Sequence, residues 1–271
     1  MMSLLLSRWR YYLSSIPTLI FRIRNWPSVV ALFLGLPVSR SLVIHLKRGC
    51  RFKVRTKMDV WIIKETCLDR DYERDRVAIE DGWTVLDIGA GFGDFAICVA
   101  REHSRCAVFA FEPLPESQER LRENLDLNGV ENVRLFPWAV SGQAGTLLLR
   151  TATGLSGQHT TAAAVPRSVE EAVSVTSVTL DQIFADLELD RCDFLKIDCE
   201  GAEFEILFHA SEQTIRRIRH VAMEYHDGVT KYSHHDLVRL FEQKGFEVRT
   251  RPNPAHREIG FLFASNRLAS T

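Results

Sequence analysis

Thr84-Val-Leu-Asp87-Ile-Gly89-Ala-Gly91-Phe-Gly93-Asp94-Phe reads as a strand that runs directly into a glycine turn and then a helix. Val85, Leu86 and Ile88 form the apolar run of a strand covered on both faces, and Ala96, Ile97, Val99 and Ala100 continue at helical spacing after the turn. Asp87 stands where the strand ends. Gly89, Gly91 and Gly93 let the backbone turn sharply and leave room for a ligand against bare amides at the start of the helix.

Dinucleotide sites place G-x-G-x-x-G in the same context, but here an acidic residue precedes the first glycine and the spacing is G-x-G-x-G. About twenty residues on, Ala107-Val-Phe-Ala-Phe111 reads as a second parallel strand ending in Glu112-Pro113, where a carboxylate can accept both hydroxyls of a ribose. Asp87 and Glu112 together suit a nucleoside with a cationic tail that is not a phosphate, the shape of S-adenosylmethionine. A nicotinamide-dependent oxidoreductase is the alternative, disfavoured by the missing phosphate-binding glycine. A catalytically idle cofactor-binding module within an assembly is a second alternative.

The 271 residues, 46% hydrophobic, can bury a full core, and a net charge of -1 offers no basic field for nucleic acid. Six cysteines without C-x-x-C spacing argue against a zinc site or a disulfide framework and for a reducing cytoplasm. Residues 1–40 form a basic, apolar accessory segment, read as short helices over Ser3 to Tyr12 and Thr18 to Trp26. Arg8 and Arg10 interrupt the run that a signal peptide needs, and Val29 to Leu36 is too short to span a bilayer. Packing on protein is the preferred role of this segment. Peripheral contact with the inner face of an anionic membrane is the alternative.

Residues 41–271 form the remaining domain, with a hairpin and lid region over 41–80 and a core over 81–266. In the hairpin, Phe52 and Val54 alternate with basic residues as in a half-exposed strand. Asp59 to Tyr72 reads as a helical stretch over the ligand pocket, with Glu65 and Tyr72 as pocket candidates. A helix from Pro115 stops at Asn128-Gly129, a strand follows over Asn132 to Phe136, and Trp138 to Gly142 is read as a turn where Trp138 or Ala139 meets an adenine. Thr151 to Ala164, rich in small residues, is a candidate substrate-facing loop. Strands are expected at Phe194 to Asp198, Val221 to Tyr225 and Phe246 to Thr250. A last strand, Gly260 to Ala264, has no crossover helix before it and so enters antiparallel.

The chain resembles the FkbM family of S-adenosylmethionine-dependent methyltransferases. Val85 to Phe95, Phe111-Glu-Pro113, Ala139-Val-Ser-Gly142, Leu180-Asp181 and Phe194-Leu-Lys-Ile-Asp-Cys-Glu-Gly-Ala-Glu203 carry the resemblance, which extends over about Asp59 to Ala264. Gly91 departs from the Asn common there, although both residues tolerate left-handed backbone. The resemblance implies a Rossmann-like class I α/β fold with a seven-stranded, mostly parallel sheet, an antiparallel last strand and helices on both faces. It implies methylation, usually of a hydroxyl on a sugar, lipid or secondary metabolite. Asp87, Gly89 and Glu112 then look like methionine and ribose contacts, with Asp198 near the sulfonium.

Transfer to a hydroxyl needs positioning and removal of a proton. His226 is the first choice of base because an unperturbed imidazole titrates near neutrality, with Glu200 or Glu203 orienting it or the substrate. Glu203 is also read as a helix cap, and Glu224 joins Tyr72 and Glu203 as substrate candidates. A divalent cation on Asp198, Glu200 and Glu224 is the less favoured arrangement, so no metal is assigned. The expected acceptor is a small molecule, a glycan or a lipid-linked glycan; the oligomeric state is open.

Overall fold

A computed structural model describes residues 2–38, 42–74, 77–152, 159–160, 170–253 and 256–267. Helices α1 (Met2–Arg22) and α2 (Trp26–Leu34) come first, then strands β1 (Leu42–His45) and β2 (Arg51–Val54) and helix α3 (Lys57–Ile63). The two short helices expected within residues 3–26 are one helix that carries Pro17 in its interior. The chain leaves that helix after Arg22 because Ile23 bridges to Leu46 beside the hairpin. In β2, Phe52 and Val54 are buried and Arg51 is exposed, as the alternation predicts. The helical reading of Asp59 to Tyr72 resolves into three pieces: α3, started by a Thr56–Asp59 capping box, a π-helical turn at Lys64–Leu68 and a 3-10 turn at Asp71–Glu73.

The core begins with β3 (Thr84–Ile88), α4 (Asp94–Glu102), β4 (Ala107–Phe111), α5 (Pro115–Asn128) and β5 (Val133–Phe136). Helix α5 ends on Gly129 in the left-handed conformation, the stop that Asn128-Gly129 predicts. Four strands then build a smaller sheet: β6 (Trp138–Val140), β7 (Gly145–Ala152), β8 (His159–Thr160) and β9 (Glu170–Val178). The stretch read as a turn after Phe136 is therefore a strand, because Trp138, Ala139 and Val140 pair with Thr176, Ser177 and Val178. Most of the small-residue loop expected over Thr151 to Ala164 lies outside the described residues.

The remaining elements are α6 (Leu180–Asp186), β10 (Cys192–Ile197), α7 (Glu203–His209), α8 (Glu212–Arg216), β11 (Ile218–His226), α9 (His234–Gln243), β12 (Phe246–Pro252) and β13 (Ile259–Asn266). Helix α6 was not foreseen, although Thr179 and Gln182 form a capping box that the sequence displays.

Seven strands form the main sheet in the order β12-β13-β11-β10-β3-β4-β5. The strands from β11 to β5 pair in parallel, and β13 enters antiparallel between β12 and β11, as expected of the last strand. Apolar clusters cover both faces, which explains the unbroken burial of β10 and the near-complete burial of β3. The strand order reverses between β3 and β10, so their carboxyl ends open a cleft at the point where ligands of such sheets bind.

Candidate active site

A cavity of about 750 Å³ opens at this switch point, within the usual size range of small-molecule sites. Its wall includes Gly89, Gly91, Glu112, Trp138 and Ala139 on one side and Asp198, Glu200, Glu224 and His226 on the other. The turn after β3 is shaped by a close approach. Gly89 has φ +77°, and a Cβ there would lie 1.9 Å from the Asp198 carbonyl oxygen. Gly91, at φ +54°, has nothing within 4 Å of a Cβ position, so a side chain there would face open space.

Glu112 is buried and accepts the Gly91 N–H on Oε2 and the Leu114 N–H on Oε1, both at 2.9 Å. Burial pushes its carboxyl up to about 7, against those two hydrogen bonds. Each oxygen keeps a lone pair for a ribose hydroxyl. Open space at Gly91, a buried acceptor at Glu112 and the Trp138 ring on the wall fit the adenosyl part of S-adenosylmethionine.

Asp87 does not reach this wall. It is fully buried, and its Oδ1 stands 2.9 Å from Lys196 Nζ, which also donates to the Gly89 carbonyl at 2.8 Å. The expected cofactor contact is thus a structural ion pair, because β10 lies next to β3 and brings Lys196 level with Asp87. Burial alone would lower the Lys196 pKa, but Asp87, Asp198 and Asp94 outweigh it and hold the ammonium charged. Tyr72 likewise sits behind the wall, donating from its hydroxyl to Asp198 Oδ2 at 2.8 Å, so it positions Asp198 and does not touch substrate space. Glu65 does line the cavity and accepts from Trp61 Nε1 at 2.9 Å and from the Tyr11 hydroxyl. Burial raises the Glu65 carboxyl.

The ends of β10 and β11 bring Asp198, Glu200, Glu224 and His226 together. Glu200 has φ +48°, which aims its carboxylate back to 3.4 Å from His226 Nε2. Glu203, expected to orient His226 or to meet substrate, is completely buried. It accepts the Gly201 and His226 backbone N–H groups at 2.8 Å and faces His226 Nδ1 at 3.1 Å, so it orients the imidazole.

Burial opposes the charge on His226, but the hydrogen bond and charge of Glu203, with Glu200 and Glu224, push its pKa up to about 10. These neighbours favour the protonated ring, whereas the sequence reading made His226 a base that titrates near neutrality. Burial lifts Glu200 to about 7, partly offset by His226, and lifts Glu224 well above the usual carboxylate range. Asp198, Glu224 and His226 each place a donor atom within 4.8 Å of the others, a set of the size that holds a divalent cation.

Tyr11 and Trp61 on the cavity wall carried no sequence signal, since Tyr11 comes from the N-terminal helix and meets the domain 54 residues away at Glu65. Leu147 and Leu149 of β7 join the wall through the second sheet.

A seven-stranded sheet with an antiparallel last strand, a glycine turn after its first core strand and an acidic residue at the next strand tip define a class I S-adenosylmethionine-dependent methyltransferase. The profile of the methyltransferase FkbM domain matches residues 87–248, and the chain belongs to that family. It is 30% identical over 222 residues to the 31-O-demethyl-FK506 methyltransferase FkbM of Streptomyces tacrolimicus, covering 72% of this chain and 84% of that protein. It is 25% identical over 210 residues to the hexuronic acid methyltransferase AglP of Haloferax volcanii, covering 77% and 82%. A further match, 29% identical, is the AMB antimetabolite synthetase AmbE of Pseudomonas aeruginosa, of which the chain spans only 11%. The crystal structure of methyltransferase FkbM from Methylobacillus flagellatus superposes with a TM-score of 0.46 at 16% identity, over 89% of this chain and 59% of that one. The protein is a methyltransferase that uses S-adenosylmethionine, and small-molecule or sugar-type acceptors fit its relatives. These relatives lend no support to the nicotinamide alternative.

Proposed function

We propose that the protein methylates a hydroxyl oxygen of a glycan or glycan-bearing lipid, with Glu200 as the group that takes the hydroxyl proton. The observation that carries this reading is the Glu200 carboxylate 3.4 Å from His226 Nε2 at the cavity wall, with Glu203 on the other ring nitrogen. Bound S-adenosylmethionine supplies an electrophilic methyl group. Glu112 would hold the ribose, Trp138 and Ala139 the adenine, and Asp198 would face the positive tail. Glu200, ionised at and above about pH 7, accepts the proton of the hydroxyl, a role for which a pKa near the working pH is favourable. Glu203 fixes the imidazolium through Nδ1, and the imidazolium in turn fixes Glu200 through Nε2. The charge on His226 also offsets the carboxylates around it, the task a divalent cation would otherwise perform. The names of the two relatives, one acting on a demethylated FK506 and one on a hexuronic acid, support a hydroxylated acceptor. All six cysteines are free thiols, which suits a reducing cytoplasm.

The test is transfer of labelled methyl from S-adenosylmethionine to a panel of hexoses, hexuronic acids and lipid-linked glycans, with the methylated atom located in the product. An O-methyl ether formed by the wild type and lost in Glu200→Gln supports the reading. Transfer to nitrogen or carbon, or undiminished transfer by Glu200→Gln, overturns it.

A further inference from the structure

Helices α1 and α2 show solvent the side that a surface helix normally turns inward. The inner side of α1 carries Tyr11, Ser15 and Leu19, with Ser15 buried, while the outer side leaves Leu13 57% and Phe21 69% exposed. In α2 only Val29 is buried. Trp26, Val30 and Phe33 recur outward at helical spacing, beside a 69% exposed Leu34. Nine of the eleven exposed large hydrophobic side chains among the described residues lie between Tyr12 and Leu36. That concentration marks an interaction surface.

Charge identifies the partner. Residues 1–58 contain 11 Lys and Arg and no Asp or Glu, in a chain whose net charge is -1. The backbone gathers three of these charges at one place: the Lys47 N–H donates to the Arg22 carbonyl at 2.9 Å, and the Arg24 N–H donates to the His45 carbonyl at 2.7 Å. Arg22, Arg24 and Lys47 are all exposed. Apolar helix faces flanked by cations and free of acids complement a bilayer with anionic headgroups. A second copy of this surface would oppose like charges. None of the described helices is long and apolar enough to cross a membrane, so the fit is to its surface.

We propose that α1 and α2 dock the protein on the interface of an anionic lipid bilayer, and that the cavity takes its acceptor from that surface. Tyr12 connects the two, being 40% exposed on α1 and also part of the cavity wall. The source of the acceptor rests on the hydroxyl-acceptor reading of the cavity; the docking does not.

The experiment is co-sedimentation of the full chain with vesicles of equimolar phosphatidylglycerol and phosphatidylcholine, and with phosphatidylcholine alone. Wild-type protein is expected to sediment with the anionic vesicles and to be released by salt. The Phe21→Glu/Leu34→Glu and Arg22→Glu/Arg24→Glu variants, altered only at exposed side chains, should each lose about tenfold or more in partitioning. Transfer to a soluble acceptor should be unchanged in these variants. Wild-type protein that stays in the supernatant, or binding that survives Phe21→Glu/Leu34→Glu, overturns the proposal. So does a vesicle-free dimer that the same substitutions dissociate, since the face would then belong to a second copy. Intact vesicle binding without methyl transfer would count against the acceptor reading alone.

Discussion

Lys196 Nζ and Asp87 Oδ1 meet 2.9 Å apart between neighbouring parallel strands, both buried, and Lys196 also holds the carbonyl of Gly89. The pair ties the first strand of the core to β10, which Asp198 follows, and so sets the floor of the cofactor cleft. Replacing Lys196 with Met leaves Asp87 buried without its counter-charge. We expect a loss of about 3–5 kcal/mol in stability, read by urea denaturation. A loss under about 1 kcal/mol would show that the pair contributes little, as exposed pairs do.

The glycines of the turn should separate sharply. Gly89→Ala puts a Cβ 1.9 Å from the Asp198 carbonyl oxygen at a φ of +77°, and a destabilisation of about 3 kcal/mol or more is expected, with loss of cofactor binding. Gly91→Asn meets open space at a φ that Asn tolerates, so its stability should stay within about 1 kcal/mol of wild type. Thermal unfolding of both variants with and without S-adenosylmethionine decides this.

Cofactor affinity should depend on the protonation of Glu112. Its carboxyl is pushed up to about 7 in the ligand-free protein, and only the ionised form accepts both ribose hydroxyls. Binding must release the proton, so affinity is full above that value and falls as pH drops below it, by about tenfold per pH unit. Calorimetric titration across pH 5 to 8 measures the effect, and Glu112→Gln should bind weakly with no such pH dependence.

Chelation should leave methyl transfer within about twofold of its rate, because His226 already faces Glu200 and burial favours the neutral form of Glu224, which leaves little uncompensated charge for a cation. Activity abolished by EDTA and restored by Mg²⁺ or Mn²⁺ would instead assign the Asp198, Glu224 and His226 donors to a cation.

Local patterns in the chain revealed the frame of this site, and long-range packing set its chemistry. The strand-turn-helix at Val85 to Phe95 and the acidic residue after Phe111 lie close together in sequence, so their spacing alone placed the glycine turn and Glu112. The antiparallel entry of β13 followed from the lack of a helix before it. The pairing that makes a second sheet was hidden, although Gly145 to Leu149 and Ser174 to Leu180 read as extended, because β6 finds its partner in β9 across a long insertion. Asp87 looked like a ligand contact until the neighbouring strand supplied Lys196. The sequence offered Glu200 or Glu203 to orient His226, but it does not show that both, with Glu224, converge on the ring and raise its pKa. Tyr11 reaches the wall from a helix outside the family match.

The pH dependence of kcat/KM for the acceptor, at saturating S-adenosylmethionine, tests the central claim most directly. The account predicts a rate that rises with pH through an inflection at or somewhat below 7, where Glu200 ionises. It predicts that Glu200→Gln loses about 100-fold along with the inflection, and that His226→Gln moves the inflection upward by removing the charge that favours the carboxylate. A wild-type inflection near 10 that disappears in His226→Gln and persists in Glu200→Gln would contradict it and return the role of base to the imidazole.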